Sequence, residues 1–265
     1  MSSINLAIFI TVRTGSTRLP KKALLDIYNG IPTIVYLIRR LKYSKFANII
    51  VLCTTNLEED NILCDLAEQE GILYFRGSVE DKLARWHGAT QKFNVDYFIT
   101  ADGDDLLCDP ELIDLGFKQI LEDKPDFIEA PHVAVGAFTY AISTKALTKV
   151  CEIKDSDNTE MMWVYFKDTG IFNVSLLKNV EELFLRPKIR LTLDYPDDLL
   201  FFKTVIKHFE EKNNPYFLRQ ILPYLDIHPE IVNINSYLME TFLENQKNKT
   251  KLLIKKEFME KKLYE

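Results

Sequence analysis

The first two-thirds of the chain alternates short apolar runs with amphipathic stretches, and this rhythm limits the available folds sharply. Apolar runs at 6–10, 48–53, 73–75, 97–101 and 126–129 have strand length, and segments 33–43, 58–70, 79–93 and 110–122 between them carry helix-spaced apolar residues. Asp109 is a natural N-cap with Pro110 at the first helical position, and Ser78 with Asp81 makes a capping-box pattern. Strands alternating with helices predict an α/β fold with a mainly parallel sheet covered on both faces. Ligands of such sheets bind beyond the carboxyl ends of the strands.

Beyond residue 130 the rhythm loosens. Segments 135–142 and 169–174 read as strands, antiparallel ones, where a second substrate could be housed. Segment 190–194 reads as another strand, followed by a helix over 196–209. We expect a nucleotide-handling α/β domain over 1–213 and a helical C-terminal extension over 214–265. The final stretch, 247–265, holds seven Lys and three Glu with apolar residues interleaved, which suits a docking, dimerising or frayed tail, or contact with a membrane surface.

The loop after the first strand carries Gly15, the hydroxyls of Ser16 and Thr17, and the cations Arg13, Arg18, Lys21 and Lys22, with no acidic residue before Asp26. Free backbone N–H groups and clustered cations at a strand's carboxyl end suit a polyphosphate. The loop lacks the Gly-Lys-Ser/Thr ending of a Walker A loop, and it also fits a solvated basic turn. Formal net charge is −6, from 33 cations against 39 anions, which argues against a nucleic-acid binder and makes this loop a local positive island.

Asp102, Asp104 and Asp105 follow the fourth strand directly, around Gly103. Clustered carboxylates repel one another unless a cation or solvent separates them, and an all-oxygen set suits Mg²⁺. An Asp- and Gly-rich turn would look the same. Asp194, after another short apolar run, is a second ligand candidate or an N-cap for the helix at Pro196. Cys53, Cys64, Cys108 and Cys151 form no Cys-x-x-Cys pair and read as reduced cytosolic thiols. No secretory signal pattern or membrane-length apolar run is evident, so a cytoplasmic protein is expected.

Four motifs, in order over nearly the full length, resemble the cytidylyltransferases that activate sugars and sugar acids, the spore-coat-polysaccharide type above all. They are Arg13-Thr14-Gly15-Ser16-Thr17-Arg18-Leu19-Pro20-x-Lys22, Arg76-Gly77-Ser78-Val79-Glu80-Asp81-x-Leu83, Gly103-Asp104-x-Leu106-x-x-Asp109-Pro110, and Leu191-Thr192-Leu193-Asp194-x-Pro196-x-Asp198-Leu199. His228-Pro229-Glu230 and Asn235 are similar to the family's C-terminal segment. The resemblance implies a nucleotide-diphospho-sugar-transferase-like, Rossmann-like fold, with CTP as co-substrate and Mg²⁺. It assigns Arg13, Arg18 and Lys22 to the triphosphate, with backbone around Gly15, Ser16 and Thr17, and Asp104 and Asp194 to the metal. Arg76, Ser78 and Asp81 belong to the loop expected at the cytosine, together with 54–56. The implied partners are CTP, a small-molecule acceptor and, in a homodimer, a second copy of the chain.

The departures fall mostly on the acceptor side. Thr11-Val12 stands for the usual Gln-Ala, Lys21 for the usual Gly, Asp105-Leu106 for Cys-Pro, Thr100 for Arg, and Thr159-Glu160-Met161 for an Arg-Glu-His stretch. They suggest retained activation chemistry with an unfamiliar acceptor. Asp102-Gly103-Asp104 also matches the Asp-x-Asp pattern of glycosyltransferases, and a silent nucleotide-binding homologue is the third reading. His87 reads as a packing or surface residue, and Trp163, Tyr165 and Phe166 as core or pocket lining.

Overall fold

A computed structural model describes residues 4–212 and 215–258. In chain order its elements are β1 (Leu6–Thr11), β2 (Asp26–Tyr28), β3 (Ile31–Pro32), α1 (Thr33–Leu41), β4 (Ile49–Thr55), α2 (Asn61–Gln69), β5 (Leu73–Gly77), α3 (Lys82–Phe93), β6 (Tyr97–Asp102) and α4 (Pro110–Asp123). There follow β7 (Phe127–Glu129), β8 (Tyr140–Ser143), α5 (Thr144–Ile153), α6 (Trp163–Lys167), β9 (Val174–Leu176), α7 (Pro196–Glu210), α8 (Leu218–Ile227), α9 (Pro229–Val232) and α10 (Leu238–Lys249).

Seven strands form one sheet in the order β5-β4-β1-β6-β8-β7-β9. β5, β4, β1 and β6 are mutually parallel, β8 pairs antiparallel with both β6 and β7, and β9 runs parallel to β7. β1 shows why a continuous apolar run becomes a central strand. Its period-two alternation sends Leu6, Ile8 and Ile10 into one buried cluster with α1, α4 and α7, and Ala7 and Phe9 into another with α3, α5 and α6. Side chains of α8, including Leu218, Ile221, Leu222 and Leu225, join the first cluster, so the C-terminal helices share the sheet's core.

β1 lies between β4 and β6, where the strand order reverses, and its end at Thr11 is in register with Asp102 on β6. The crevice at such a reversal is the natural ligand site of an open α/β sheet. Gly103 is required there. A Cβ would stand 2.7 Å from Val12 side-chain atoms, and its N–H donates to the Thr11 carbonyl at 2.8 Å.

Three expectations need correction. The strand expected at 135–142 shrinks to Tyr140–Ser143, because Gly136 takes φ +88° and turns the chain against the Leu191 carbonyl. That expected at 169–174 begins only at Val174, as β9, and is parallel rather than antiparallel. Segment 190–194 joins no sheet: among the described residues its ladder contact is a single parallel bridge from Val135 to Arg190, Arg190 and Asp194 are engaged in ion pairs, and Leu191 and Leu193 enter the core. The β2–β3 hairpin was legible but not read. Asn29 and Gly30 take φ 49° and 80°, as an Asn-Gly hairpin turn demands. The tail leaves helix after Lys249, and its portion 259–265 lies outside the described residues.

The expected cap at Asp109 carries more than its helix. Its carboxylate accepts from the Glu111 N–H at 2.9 Å, the Leu218 N–H at 2.8 Å and the buried Arg40 guanidinium at 3.2 Å, tying α4, α8 and α1 together. Removing one partner of a buried ion pair strands the other, so Asp109→Ala is expected to cost about 3–5 kcal/mol. Urea unfolding followed by circular dichroism measures this.

Candidate functional site

The loop from Val12 to Lys22 folds over the carboxyl ends of β1 and β6, and one carboxylate fixes its base. Asp60, fully buried, accepts from the N–H and hydroxyl of Thr14, both at 2.7 Å, and from the Thr55 hydroxyl. Burial alone would raise its carboxyl; the donors at Thr55 and Thr14 outweigh burial and hold it below the usual carboxylate range. Lys21, at the position where the resemblance expects Gly, takes φ 53°. That is the left-handed region, costly for a residue with a Cβ.

Beneath the loop opens a cavity of about 1130 Å³. Arg13, Gly15, Ser16, Thr17, Arg18 and Lys22 line it from the loop, together with Asp104 and Asp194. The Lys22 ammonium lies 2.5 Å from Asp104 Oδ2, 3.0 Å from Asp194 Oδ1 and 2.8 Å from the Leu193 carbonyl. Arg18 Nη2 reaches the same Asp194 oxygen at 2.5 Å. Residues 176 positions apart thus meet at one point. Burial would lower the Lys22 ammonium, but Asp104 and Asp194 outweigh it and raise it above its ordinary value. Asp194 moves the other way: burial is overcome by Lys22 and Arg18, which hold it ionised.

Asp194 is itself held from behind. Its other oxygen accepts from Arg190 at 3.1 Å, and Arg190, fully buried, also pairs with Asp198 at 2.9 Å. Asp198 further accepts from the Asp194 N–H at 2.9 Å, the Tyr195 N–H at 3.0 Å and Asn235 at 2.9 Å. Asp198, not Asp194, therefore serves the start of α7, and Asp194 is left to face the cavity.

Asp102, Asp104 and Asp105 bring carboxylate oxygens within 4.8 Å of one another. Their roles divide. Asp102 pairs with Lys82 at 2.8 Å. Asp105, buried, accepts from Thr139 at 3.3 Å, and burial followed by the charges of Asp104 and Asp102 pushes its carboxyl well up.

The loop expected at the base is divided as well. Arg76, Ser78 and Asp81 stand off the cavity wall. The Arg76 guanidinium holds the Thr55 and Leu57 carbonyls and Asn61. Ser78 Oγ accepts from the Asp81 N–H, and Asp81 caps α3 at the Ala84 N–H while pairing with Lys154. Val79, Glu80, Lys82 and Arg85 line the cavity in their stead. Lys82 and Arg85 were missed in sequence, although two cations in the first turn of a helix following a strand were a readable signal. Thr159 pairs with Asp81 at 2.9 Å, while the next residues, Glu160 to Trp163, face the cavity. Tyr165 and Phe166 are core, and His87 contacts Thr148 at 3.2 Å away from the site. Among the described residues no helix is long and apolar enough to cross a membrane.

A family model described as cytidylyltransferase matches residues 7–254. The chain is 33% identical over 229 residues to an uncharacterised protein of Methanocaldococcus jannaschii, covering 86% of this chain and 93% of that one. It is 25% identical over 214 residues to the spore coat polysaccharide biosynthesis protein SpsF of Bacillus subtilis, covering 78% and 89%. Among solved structures it is similar to a cytidylyltransferase from Leptospira borgpetersenii, with a TM-score of 0.78 and 25% identity over 87% of this chain and 97% of that one.

Two outcomes follow from the loop's anchoring. Asp60 has a folded value below its unfolded value of 3.8, so its contribution is fully present above that pH and is lost as pH falls through the folded value. Asp60→Asn should lower stability at pH 7 by about 1–3 kcal/mol, and its deficit against the wild type should shrink below pH 3.8; urea midpoints across pH 2.5–7 (about that range) test the sign. Lys21→Gly relieves left-handed strain but loosens the unfolded chain, so melting should show a change between zero and about 1 kcal/mol of stabilisation.

Proposed function

Since this chain belongs to the cytidylyltransferase family, we propose that it transfers a cytidylyl group from CTP to a sugar, sugar acid or phosphorylated acceptor and releases pyrophosphate. The observation that carries this reading is the meeting of the cationic loop and two carboxylates at Lys22, at the sheet's reversal point. A glycosyltransferase using a nucleotide sugar has no need of a cationic clamp for a triphosphate.

The oxygens of Asp104, Asp194 and Leu193 converge on a single cation, the Lys22 ammonium, so the donor set suits a hard divalent ion. Asp104 and Asp194 would hold Mg²⁺, which when bound makes the α-phosphorus more electrophilic. Arg13, Arg18 and Lys22, with backbone N–H groups of Gly15 and Thr17, bind the triphosphate and stabilise charge on the departing pyrophosphate; the Ser16 N–H, expected there as well, is instead donated to the Thr14 carbonyl at 2.8 Å. The acceptor oxygen forms a bond to the α-phosphorus as the bond from that phosphorus to the β-bridging oxygen breaks. Pyrophosphate leaves with the electron pair, and the proton of a hydroxyl acceptor passes to solvent. Placement and electrostatics supply most of the rate in such transfers. A role in polysaccharide synthesis is supported by the similarity to the spore coat polysaccharide biosynthesis protein of Bacillus subtilis. CTP as a soluble substrate suits a cytoplasmic site of action.

Calorimetric titration with CTP, UTP, GTP and ATP in Mg²⁺ tests the donor. Selective CTP binding is expected, and Asp104→Asn should weaken it and lower turnover by about 100-fold or more. Binding of nucleoside-diphosphate sugars in place of CTP would overturn the reading.

A further inference from the structure

α10 is an unusual helix for this molecule, because Leu238 is its one buried residue among those described. A surface helix normally buries a stripe of one face against the core. Here a broad face of the helix lines the cavity instead: Met239, Phe242, Gln246 and Lys249 at 3–4 spacing, with Leu243 and Asn245 beside them and Glu240 at its edge. The stripe changes character along its length. It starts with apolar side chains and the Glu240 carboxylate, next to the ion network, and ends in two amides and an ammonium.

Both ends of the helix are fastened. At its start Asn235 donates to Asp198, and the centre of the Phe242 ring lies 4.7 Å from the Arg190 guanidinium carbon, whose Nη2 donates to Asp194. Past its end, Ile254 bridges antiparallel to Lys154, with the Asp155 N–H donating to Leu253 at 2.8 Å and the Lys255 N–H to Ile153 at 3.0 Å. Lys154 also pairs with Asp81, the residue that holds Thr159 just before the cavity-lining residues Glu160 to Trp163.

The polar groups on this stretch are uncommitted. Asn245, Gln246 and Lys249 make no side-chain hydrogen bond or ion pair among the described residues, nor does Lys188, which lines the same cavity from another segment. The rings of Trp163 and Tyr140, 6.3 Å apart, line the same cavity. Amides that both donate and accept, with aromatic rings in the same cavity, match a polyhydroxylated ring, and unpaired lysines match an anionic substituent on it. We propose that α10 is the acceptor-selecting wall of the site, with Asn245 and Gln246 binding hydroxyls and Lys249, with Lys188, binding an anionic group of a polyhydroxylated acceptor. This rests on the cytidylyl-transfer reading.

The test is pyrophosphate release from CTP and Mg²⁺ with three probes: 3-deoxy-manno-octulosonate, glucose 1-phosphate and glycerol 3-phosphate. The wild type should use at least one, and Gln246→Ala and Lys249→Met should each raise its KM about tenfold, the loss of one hydrogen bond to a charged or polar group, with the KM for CTP and the melting temperature unchanged. An unchanged acceptor KM, or a CTP KM that rises in parallel, overturns the assignment. CTP binding without turnover of any probe overturns the acceptor class. Failure to bind CTP at all strikes the transfer reading first, and this assignment falls with it.

Discussion

Asp194 accepts from Arg190 on one oxygen and from Arg18 and Lys22 on the other, and through these cations it joins the segment before α7, the basic loop and the C-terminal helices. Burying charge costs several kcal/mol per ion unless partners and hydrogen bonds compensate, so such a network tolerates few arrangements of its members. Arg190 shows the constraint well: it is fully buried, chelates two carboxylates and is covered by the Phe242 ring, while its Nη1 finds no partner. Asp198 takes the backbone N–H groups at the start of α7, which leaves Asp194 committed to cations alone. The same carboxylate is therefore a structural joint and a member of the site.

That double use explains the electrostatics. The protein is acidic overall, yet its cavity sets guanidinium and ammonium groups directly against carboxylates. Asp104 and Asp194 hold Lys22 charged above its ordinary range, and Lys22 and Arg18 hold Asp194 below its own, while burial raises Asp104 despite Lys22 and pushes Asp105, among like charges and without a cation, well up. Neighbouring aspartates in one turn meet different partners. Asp102 has Lys82, Asp104 has Lys22, and Asp105 has a threonine hydroxyl.

Much of this was legible in the residues. The parallel half of the sheet follows from apolar runs of strand length, because central strands are buried on both faces and show no polar alternation. The cap at Asp109 was read from Asp-Pro, and the loop and the two acidic turns from charge clustered after strands. What was not legible involves long-range pairing. The segment 190–194 has strand composition, but its arginine finds buried carboxylates before it finds a neighbouring strand. Arg76 and Asp81 have residue types that suit ligand contact, but carbonyls, Lys154 and a helix start claim them first.

By itself the sequence determined the alternation of elements, the caps, and a basic loop and acidic turns at strand ends, since each depends on residues a few positions apart. The tertiary structure decided which of those groups meet. Lys22 reaches Asp104 and Asp194 across 82 and 172 positions, and α10 turns its polar stripe toward a cavity whose other walls come from β6, β8 and α6. Local chemistry is written in spacing, whereas convergence depends on how strands order and helices dock, which is settled by burial of the whole core.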